Sequence, residues 1–201
     1  MNNNAWTRFF DIVFKYVMLN FLAFFSSILG FFLFGIFPAL SALLFTIKSV
    51  KEQTWRELIM TFWLAYKRNF IKANVYGGCL SLLSIYLFFN TRICFQLSPL
   101  IFTLFGTLSA MALFLTLALS LNCFLFLDEL IDFKDLKSLF FYTVYALPTS
   151  LLQIGSIGLF SIIISFFPAL ILFGGVAVLS KINLYLAMKT TTKLVTGGTT
   201  K

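Results

Sequence analysis

The sequence predicts an all-α fold, a polytopic transmembrane helix bundle. Hydrophobic residues make up 60% of the 201 residues and charged residues only 11%, too few charges to cover a water-facing surface of this size. The mean hydropathy is +0.98. Several apolar stretches reach the roughly 20 residues that cross a bilayer as a helix. Residues 110–115 are apolar at every position, whereas a transmembrane β-strand would alternate between apolar and polar residues.

The apolar stretches predict five full crossings and a short sixth segment. The full crossings are expected at 16–36, 73–89, 98–127, 139–166 and 168–188. The short segment, 38–51, begins at Pro38 because proline ends the preceding helix by removing a hydrogen-bond donor. Residues 54–72 mix aromatic and basic residues and predict one cytoplasmic interfacial amphipathic helix. Residues 1–189 are thus one predicted transmembrane domain, and 190–201 a predicted mobile tail.

Local residues define two further boundaries. Residues 90–97 form the predicted outer connection, after which Ser98 is expected to cap a helix with Pro99 in its first position. Three residues of the segment 139–166 are expected to kink it or to permit close packing: Pro148, Gly155 and Gly158.

The distribution of lysine and arginine predicts the orientation. If the basic residues of 48–72, Lys134, Lys137 and the C-terminal lysines lie inside, Arg92 is the one basic residue clearly outside. If the short segment returns across the membrane, the N-terminal basic residues also lie inside. We therefore expect both termini in the cytoplasm.

Composition excludes several classes of function. The chain has no histidine, the commonest general base and zinc ligand, and no carboxylate lies deep in an apolar segment, which argues against an ion-coupled pump but not against a passive pore. The net charge of +8 is scattered at segment ends, so nucleic acid is not an expected partner. The spacing of Cys79, Cys94 and Cys123 fits neither a disulfide framework nor a metal site. No catalytic, cofactor-binding or metal site is predicted.

The predicted interfacial helix carries the first set of candidate residues. Its aromatic residues gather on one side, and its charges on the other, where Met60, Leu64 and Ile71 also fall. This surface would anchor on anionic lipid headgroups or dock a partner protein. The candidate interface residues are Trp55, Arg56, Phe62, Trp63, Lys67, Arg68 and Lys72.

Two further polar sets each allow more than one interpretation. The first, Asp128, Asp132 and Asp135, has helical spacing; its carboxylates would bind a cation or meet the basic helix, or form a solvated loop with local lysine partners. The second comprises the uncharged amides of the apolar runs, which would hydrogen-bond across helix contacts or line a polar path. These amides are Asn20, Asn122, Gln153 and Asn183.

Three short motifs resemble the YesL family of bacterial membrane proteins, whose molecular function is unknown. They are Phe34-Gly35-Ile36-Phe37-Pro38-Ala39, then Thr61-Phe62-Trp63, then Asn69-Phe70-Ile71-Lys72-Ala73-Asn74 leading into Gly77. The resemblance implies a multi-pass protein of a Gram-positive plasma membrane. Members are commonly encoded beside carbohydrate uptake, sensing or degradation functions. Beyond Leu97 the likeness is mainly hydrophobic pattern.

These observations predict a non-enzymatic accessory protein of the plasma membrane. Its expected partners are the lipid bilayer and a sugar transporter or sensor subunit, and homo-oligomerisation is left open. The alternative is an autonomous small-solute permease with a path among the four amides. A membrane enzyme would need a catalytic group that the sequence does not supply.

Overall fold

The structure, a computed structural model, describes residues 5–32, 34–97, 99–128, 133–171 and 174–197. Within these ranges a short 3-10 helix, Pro168–Ile171, precedes the last of seven α-helices. The helices are α1 Ala5–Leu29, α2 Ile36–Ile47, α3 Trp55–Gln96, α4 Leu100–Leu125, α5 Phe133–Tyr145, α6 Leu147–Phe166 and α7 Gly175–Gly197. The predicted all-α class is confirmed. By length and composition, α1, α3, α4 and α6 are able to cross a membrane.

A tight turn built on two glycines joins α1 to α2. A Cβ atom on Gly30 would lie 2.4 Å from the Cα of Gly35, and one on Gly35 would lie 2.3 Å from the carbonyl oxygen of Ser27. Only glycine fits either position without a shift of the backbone. Between them Phe31 and Phe32 have φ angles of 55° and 56°, in the left-handed region that bulky residues rarely adopt. The turn brings α2 back against α1.

The short predicted segment is α2, which lies in the centre of the bundle. Its 12 residues give a helix of about 18 Å, shorter than the roughly 30 Å hydrocarbon core of a bilayer. Eight of the 12 are buried, and α2 packs against α1, α3, α4 and α7. It begins at Ile36, two residues before the predicted start at Pro38, because proline is well tolerated in the first turn of a helix.

One continuous helix, α3, replaces three predicted parts. The sequence had suggested an interfacial helix, a crossing and a connection, at 54–72, 73–89 and 90–97. That division is wrong, because a change in composition from basic to apolar does not itself interrupt backbone hydrogen bonding. The 42 residues of α3 extend about 63 Å. Its start is fixed by a capping box, in which the Glu57 carboxylate accepts from the Thr54 N–H at 2.8 Å and the Thr54 hydroxyl accepts from the Glu57 N–H.

The helices α3 and α4 form a long antiparallel hairpin. Near its tip the Ser109 hydroxyl accepts from the Asn90 amide at 3.3 Å and donates to the Leu87 carbonyl at 3.3 Å. Pro99 occupies the N-cap position of α4 rather than its first turn. The predicted capping residue, Ser98, lies outside the described residues.

The predicted crossing at 139–166 is two helices, α5 and α6, separated at Ala146. Pro148 lies in the first turn of α6, where its missing N–H costs nothing; in a continuous helix its ring would clash with the carbonyl group four residues earlier. The expectation of close packing at Gly155 and Gly158 is wrong, since a Cβ on either would meet no atom within 4 Å.

The last predicted crossing, 168–188, also differs from the structure. It starts as the 3-10 helix, and α7 begins only at Gly175 and continues to Gly197. Most of the tail expected to be mobile, 190–201, is therefore helical, and residues 198–201 lie outside the described part of the chain.

The helices α1 and α7 lie antiparallel. The Asn20 amide of α1 donates to the carbonyl of Ile171, and Gly174 lies against Val17. Ile171 contacts Asn20, and Gly174, three residues later, contacts the earlier residue Val17. The chain that leads into α7 therefore runs towards the N-terminal end of α1. The two ends of the described chain therefore point to the same end of the bundle.

The core is formed mainly by α1, α2, α3 and α7, around the fully buried ring of Phe62. A second cluster joins α3, α4 and α5. Between the clusters the rings of Phe37 and Phe124 stack with centroids 5.8 Å apart, and both lie against Gly77. Outside the core, large apolar side chains on α3, α4 and α6 are exposed, as expected for a protein whose main solvent is lipid.

We predict that Gly77→Ala destabilises the bundle. The new Cβ would lie 2.5 Å from the Phe37 ring and 2.9 Å from the Phe124 ring, so the stacked rings would have to move, at a cost of about 1–3 kcal/mol. The measurement is thermal unfolding of detergent-solubilised protein.

The adjacent Gly78→Ala is the matched control, because its Cβ would meet nothing within 4 Å. It should leave stability unchanged or raise it by up to about 1 kcal/mol through helix propensity. Equal melting temperatures for the two variants would contradict the packing described for Gly77.

Candidate functional site

A polar cluster joins α2, α3 and the end of α4. The Arg68 guanidinium pairs with the Asp128 carboxylate at 2.5 Å, and the Asn69 amide donates to the same carboxylate oxygen and to the Ser41 hydroxyl at 3.1 Å. The Arg68 guanidinium also lies 5.0 Å from the centre of the Phe45 ring. Ser41, Arg68, Asn69 and Asp128 are called the α3–α4 polar cluster below.

The groups of this cluster differ in exposure. The side chain of Asp128 is 12% exposed and that of Arg68 is 58% exposed, while Asn69 and Ser41 are buried. A mostly buried carboxylate needs hydrogen-bond donors to offset its lost hydration, and Arg68 and Asn69 supply them. The cluster thus fixes the end of α4 against the middle of α3, and its chemistry is that of a structural joint.

The acidic residues predicted to share one helix face do not do so. Asp128 lies in the turn that follows α4 and Asp135 in α5, while Asp132 lies outside the described residues. The carboxylate that contacts the basic helix is that of Asp128, which pairs with Arg68. Within the described ranges, no group of three histidine, cysteine or acidic residues is arranged to hold a metal ion.

Two of the three aromatic residues of the candidate interface, Phe62 and Trp63, face the interior, while Trp55 is 41% exposed. Phe62 is fully buried, and Trp63 is partly buried and packs edge-on against Tyr66 at 5.6 Å between centroids. The Trp55 indole N–H donates to the Asp11 carboxylate at 2.9 Å. These residues attach the first half of α3 to the bundle, so the surfaces of Phe62 and Trp63 are not available to an outside partner.

The opposite face of the same helix half is exposed. Leu64 and Ile71 are 68% and 76% exposed, Met60 is 55% exposed, and Arg56 and Lys67 are exposed beside them. The spacing of these five residues, at intervals of three and four, places them on one stripe of the helix. Lys72 is exposed at its end. Arg56, Met60, Leu64, Lys67 and Ile71 are called the outer stripe.

The amide of Asn122 lies at a junction of three helices. Its nitrogen donates to the Thr143 hydroxyl of α5 and to the Ser150 hydroxyl of α6, each at 3.3 Å. All three residues are buried. In an apolar environment each such bond also avoids an unsatisfied polar group, so Asn122 acts as a joint between α4 and the break at Ala146.

The other three amides also make helix contacts. The Gln153 amide of α6 donates to the Asn183 carbonyl of α7 at 3.2 Å, and the Asn183 side chain accepts from the Ser156 hydroxyl at 3.4 Å. Asn20 bonds to Ile171, as described above. The amides therefore lie in three separate contacts, and the structure does not bring all four together along one path.

Two cavities share Leu40 and Val176 in their walls. One, of about 340 Å³, includes Asn20 in its wall, and the other, of about 200 Å³, includes Asn183. Both walls contain Leu40 and Val176 and are otherwise mostly apolar. The arrangement suits a small or apolar guest better than a strongly hydrated one.

Several polar residues that matter in these contacts were missed in the sequence. Asn69 belongs to one of the motifs resembling the YesL family. Its position next to Arg68 in the sequence indicates that it could share a partner with that residue. Thr143, Ser150 and Ser41 gave no comparable signal, because hydroxyl residues are ordinary in membrane helices and often bond to their own backbone.

The long apolar helices and the buried amide contacts are those of an all-helical membrane protein. Residues 16–91 match the family model described as "Protein of unknown function, DUF624". This match confirms the resemblance to the YesL family from Tyr16 of α1 through α2 and most of α3.

A curated relative is equally uninformative about activity. The chain is 28% identical over 89 residues to "Uncharacterized protein YteU" of Bacillus subtilis (strain 168), a match that covers 44% of this chain and 40% of YteU. The chain thus matches less than half of that relative's length. No solved structure matches the chain.

The residues that carry the family resemblance lie at packing contacts. Gly35 forms the turn before α2, Phe37 and Gly77 meet in the aromatic stack, and Asn69 belongs to the α3–α4 polar cluster. The motifs therefore describe the scaffold around α2. None of them forms a constellation for catalysis.

We predict that Arg68 and Asp128 are energetically coupled. A double-mutant cycle of Arg68→Ala and Asp128→Ala, measured as stability in detergent, should give a coupling of about 0.5–1 kcal/mol, because one partner is half exposed. Asp128→Ala alone should cost more than Arg68→Ala, since it also removes the acceptor of the buried Asn69 amide.

Lys67 provides the control cycle. It is adjacent to Arg68 and exposed, but no contact joins it to Asp128, so Lys67→Ala with Asp128→Ala should be additive. A coupling at Lys67 as large as that at Arg68 would mean that general charge, and not the direct pair, is responsible.

Proposed function

We propose that this protein is a non-enzymatic accessory component of a bacterial plasma membrane that docks a transporter or sensor subunit on the outer stripe of α3. The observation that carries the proposal is the composition of that stripe. Two cations, Arg56 and Lys67, share one exposed helix face with three large apolar side chains. The opposite face of the helix is already occupied by the bundle.

This arrangement differs from that of a lipid-anchoring helix. An interfacial helix places its apolar face in the acyl region and its cations towards the headgroups, on different faces. On the outer stripe the cations and the apolar groups share one face. A protein surface with an apolar ridge and acidic residues would complement both, since interfaces combine an apolar centre with arginine and polar groups.

The proposed orientation has both termini in the cytoplasm. Five crossings by α1, α3, α4, α6 and α7, with α2 and the connection after it returning the chain across the membrane as a short sixth segment, give this result. The antiparallel packing of α1 and α7 supports it, as does the concentration of basic residues in the connection after α2 and along the first half of α3. The outer stripe would then be reached from the cytoplasmic side.

The association with carbohydrate uptake or sensing rests on the family resemblance. Members of the YesL family are commonly encoded beside such functions, and the confirmed match over 16–91 supports extending this context to the present chain. A sugar transporter or sensor subunit is accordingly the proposed partner.

The test is native co-purification in mild detergent with identification of bound proteins by mass spectrometry. The variant Arg56→Glu with Lys67→Glu should lose a transporter or sensor subunit that the unaltered protein retains. Freed of its partner, the unaltered protein should elute at the same volume as this variant. Arg68 is left intact because its reversal would break the α3–α4 polar cluster.

The control is Arg92→Glu with Lys137→Glu, which changes the net charge equally at two exposed positions away from the stripe. It should retain the partner. Partner loss in both double variants, or retention in both, would count against docking on the outer stripe, and purification without any partner would count against the accessory role.

A small-solute permease is the second candidate, favoured by the two cavities that share Leu40 and Val176 in their walls. A path through them would pass Asn20 and Asn183, and not the Asn122 junction. Purified protein in liposomes should then increase the flux of a small sugar or polyol, and Asn183→Leu should reduce it several-fold while Arg56→Glu does not. Flux equal to that of protein-free liposomes would exclude this path for the solutes tested.

A further inference from the structure

The smaller of the two cavities described above lies between α2, α4, α6 and α7. Its volume is about 200 Å³, and none of its ten wall residues is charged. Eight of the ten are apolar, and two of these, Leu44 and Leu125, are buried in the core. The two polar wall residues, Ser180 and Asn183, both belong to α7. A guest in this cavity therefore meets polar side chains from one helix only.

The side-chain oxygen of Asn183 lacks a full hydrogen-bond donor. The Asn183 Nδ2 donates to the Leu179 carbonyl at 3.0 Å, while its Oδ1 lies 3.4 Å from the Ser156 hydroxyl. That hydroxyl has a single proton, and it lies closer, at 2.7 Å, to the Gln153 carbonyl oxygen. The shorter contact takes the proton. Asn183 is only 7% exposed, so its under-used acceptor carries a desolvation cost.

A second acceptor in the same contact between α6 and α7 has no donor. The Gln153 amide nitrogen donates to the Asn183 carbonyl at 3.2 Å, but the Gln153 side-chain oxygen is buried without a partner among the described residues. This part of the helix contact thus holds more acceptors than donors. Of the two side-chain acceptors, that of Asn183 belongs to a residue of the cavity wall, where a donor from a bound molecule would offset the cost.

Volume and charge limit the class of guest. An apolar cavity of about 150 Å³ holds a molecule the size of benzene, so about 200 Å³ suits a ring or short chain with one small substituent. A charged guest would lose its hydration without a counter-ion in the wall. Water alone is poorly held, because a buried water commonly makes about three hydrogen bonds and most of this wall is apolar.

We propose that this cavity binds a small neutral alcohol or phenol. Its ring or chain would contact the apolar wall, and its hydroxyl would donate to the Oδ1 of Asn183. The inference concerns binding at equilibrium and does not rest on partner docking or on solute flux, so it can fail while either proposed function holds.

The test is a fluorine NMR titration of the full chain in detergent with 4-fluorophenol or 4-fluorotoluene, which differ by a hydroxyl in place of a methyl group. Uptake by protein-free detergent is subtracted for each. The unaltered protein should bind 4-fluorophenol about twofold to tenfold more tightly than 4-fluorotoluene, the range expected for one net hydrogen bond. Asn183→Leu should abolish or reverse this preference, since it removes the acceptor and keeps a side chain of similar size.

Three further variants separate the site from general effects on folding. Asn20→Leu removes a similarly buried amide from the contact with Ile171 and should keep the preference. Leu121→Trp fills the cavity and should remove binding of both ligands. Ser156→Ala removes the competing hydroxyl, so 4-fluorophenol should bind at least as tightly as to the unaltered protein, which a misfolded variant would not do.

Four results would each overturn the proposal. They are an unchanged preference in Asn183→Leu, an equal loss of preference in Asn20→Leu, weaker binding of 4-fluorophenol in Ser156→Ala, and binding retained in Leu121→Trp. Uptake of both ligands no greater than that of protein-free detergent would also overturn it, and would mean that the cavity holds only water or closes.

Discussion

The structure depends on the burial of one short helix. With only 12 residues, α2 is shorter than the hydrocarbon core of a bilayer, yet four other helices pack against it. In lipid there is little hydrophobic gain when one apolar helix meets another, so association depends on close packing and on hydrogen bonds between helices. Both are concentrated around α2: the glycines at 30 and 35 let it return against α1, Gly77 admits its phenylalanine to α3, and Ser41 reaches the α3–α4 polar cluster.

Most polar groups of the apolar helices are used in such contacts. The amides of Asn20, Asn122 and Gln153 each bond to a different helix or turn, and the carboxylate of Asp128 is held by two donors from α3. These contacts stabilise the bundle. The Gln153 side-chain oxygen is buried without a hydrogen-bond partner among the described residues. The outer stripe is left at the surface and is basic.

The family match includes both the scaffold around α2 and the outer stripe. The matched segment, 16–91, covers the second half of α1, all of α2 and most of α3, and the residues that carry the resemblance are those that position α2. The outer stripe lies within this segment.

The sequence by itself determined the class of protein, because the scarcity of charge and the length of the apolar runs leave lipid as the solvent. It also indicated that the segment beginning at Pro38 is short, and that the chain has no histidine. Only the tertiary structure decided that 55–96 is one helix, that Arg68 meets Asp128, and that the aromatic face of the basic helix points inward. The physical reason is that the interior of the bundle and the surrounding lipid are both apolar. A helix such as α4 is therefore hydrophobic on all sides, and its pattern does not tell which side meets a neighbour. Contacts between residues 60 positions apart depend on how the helices pack, which no local pattern records.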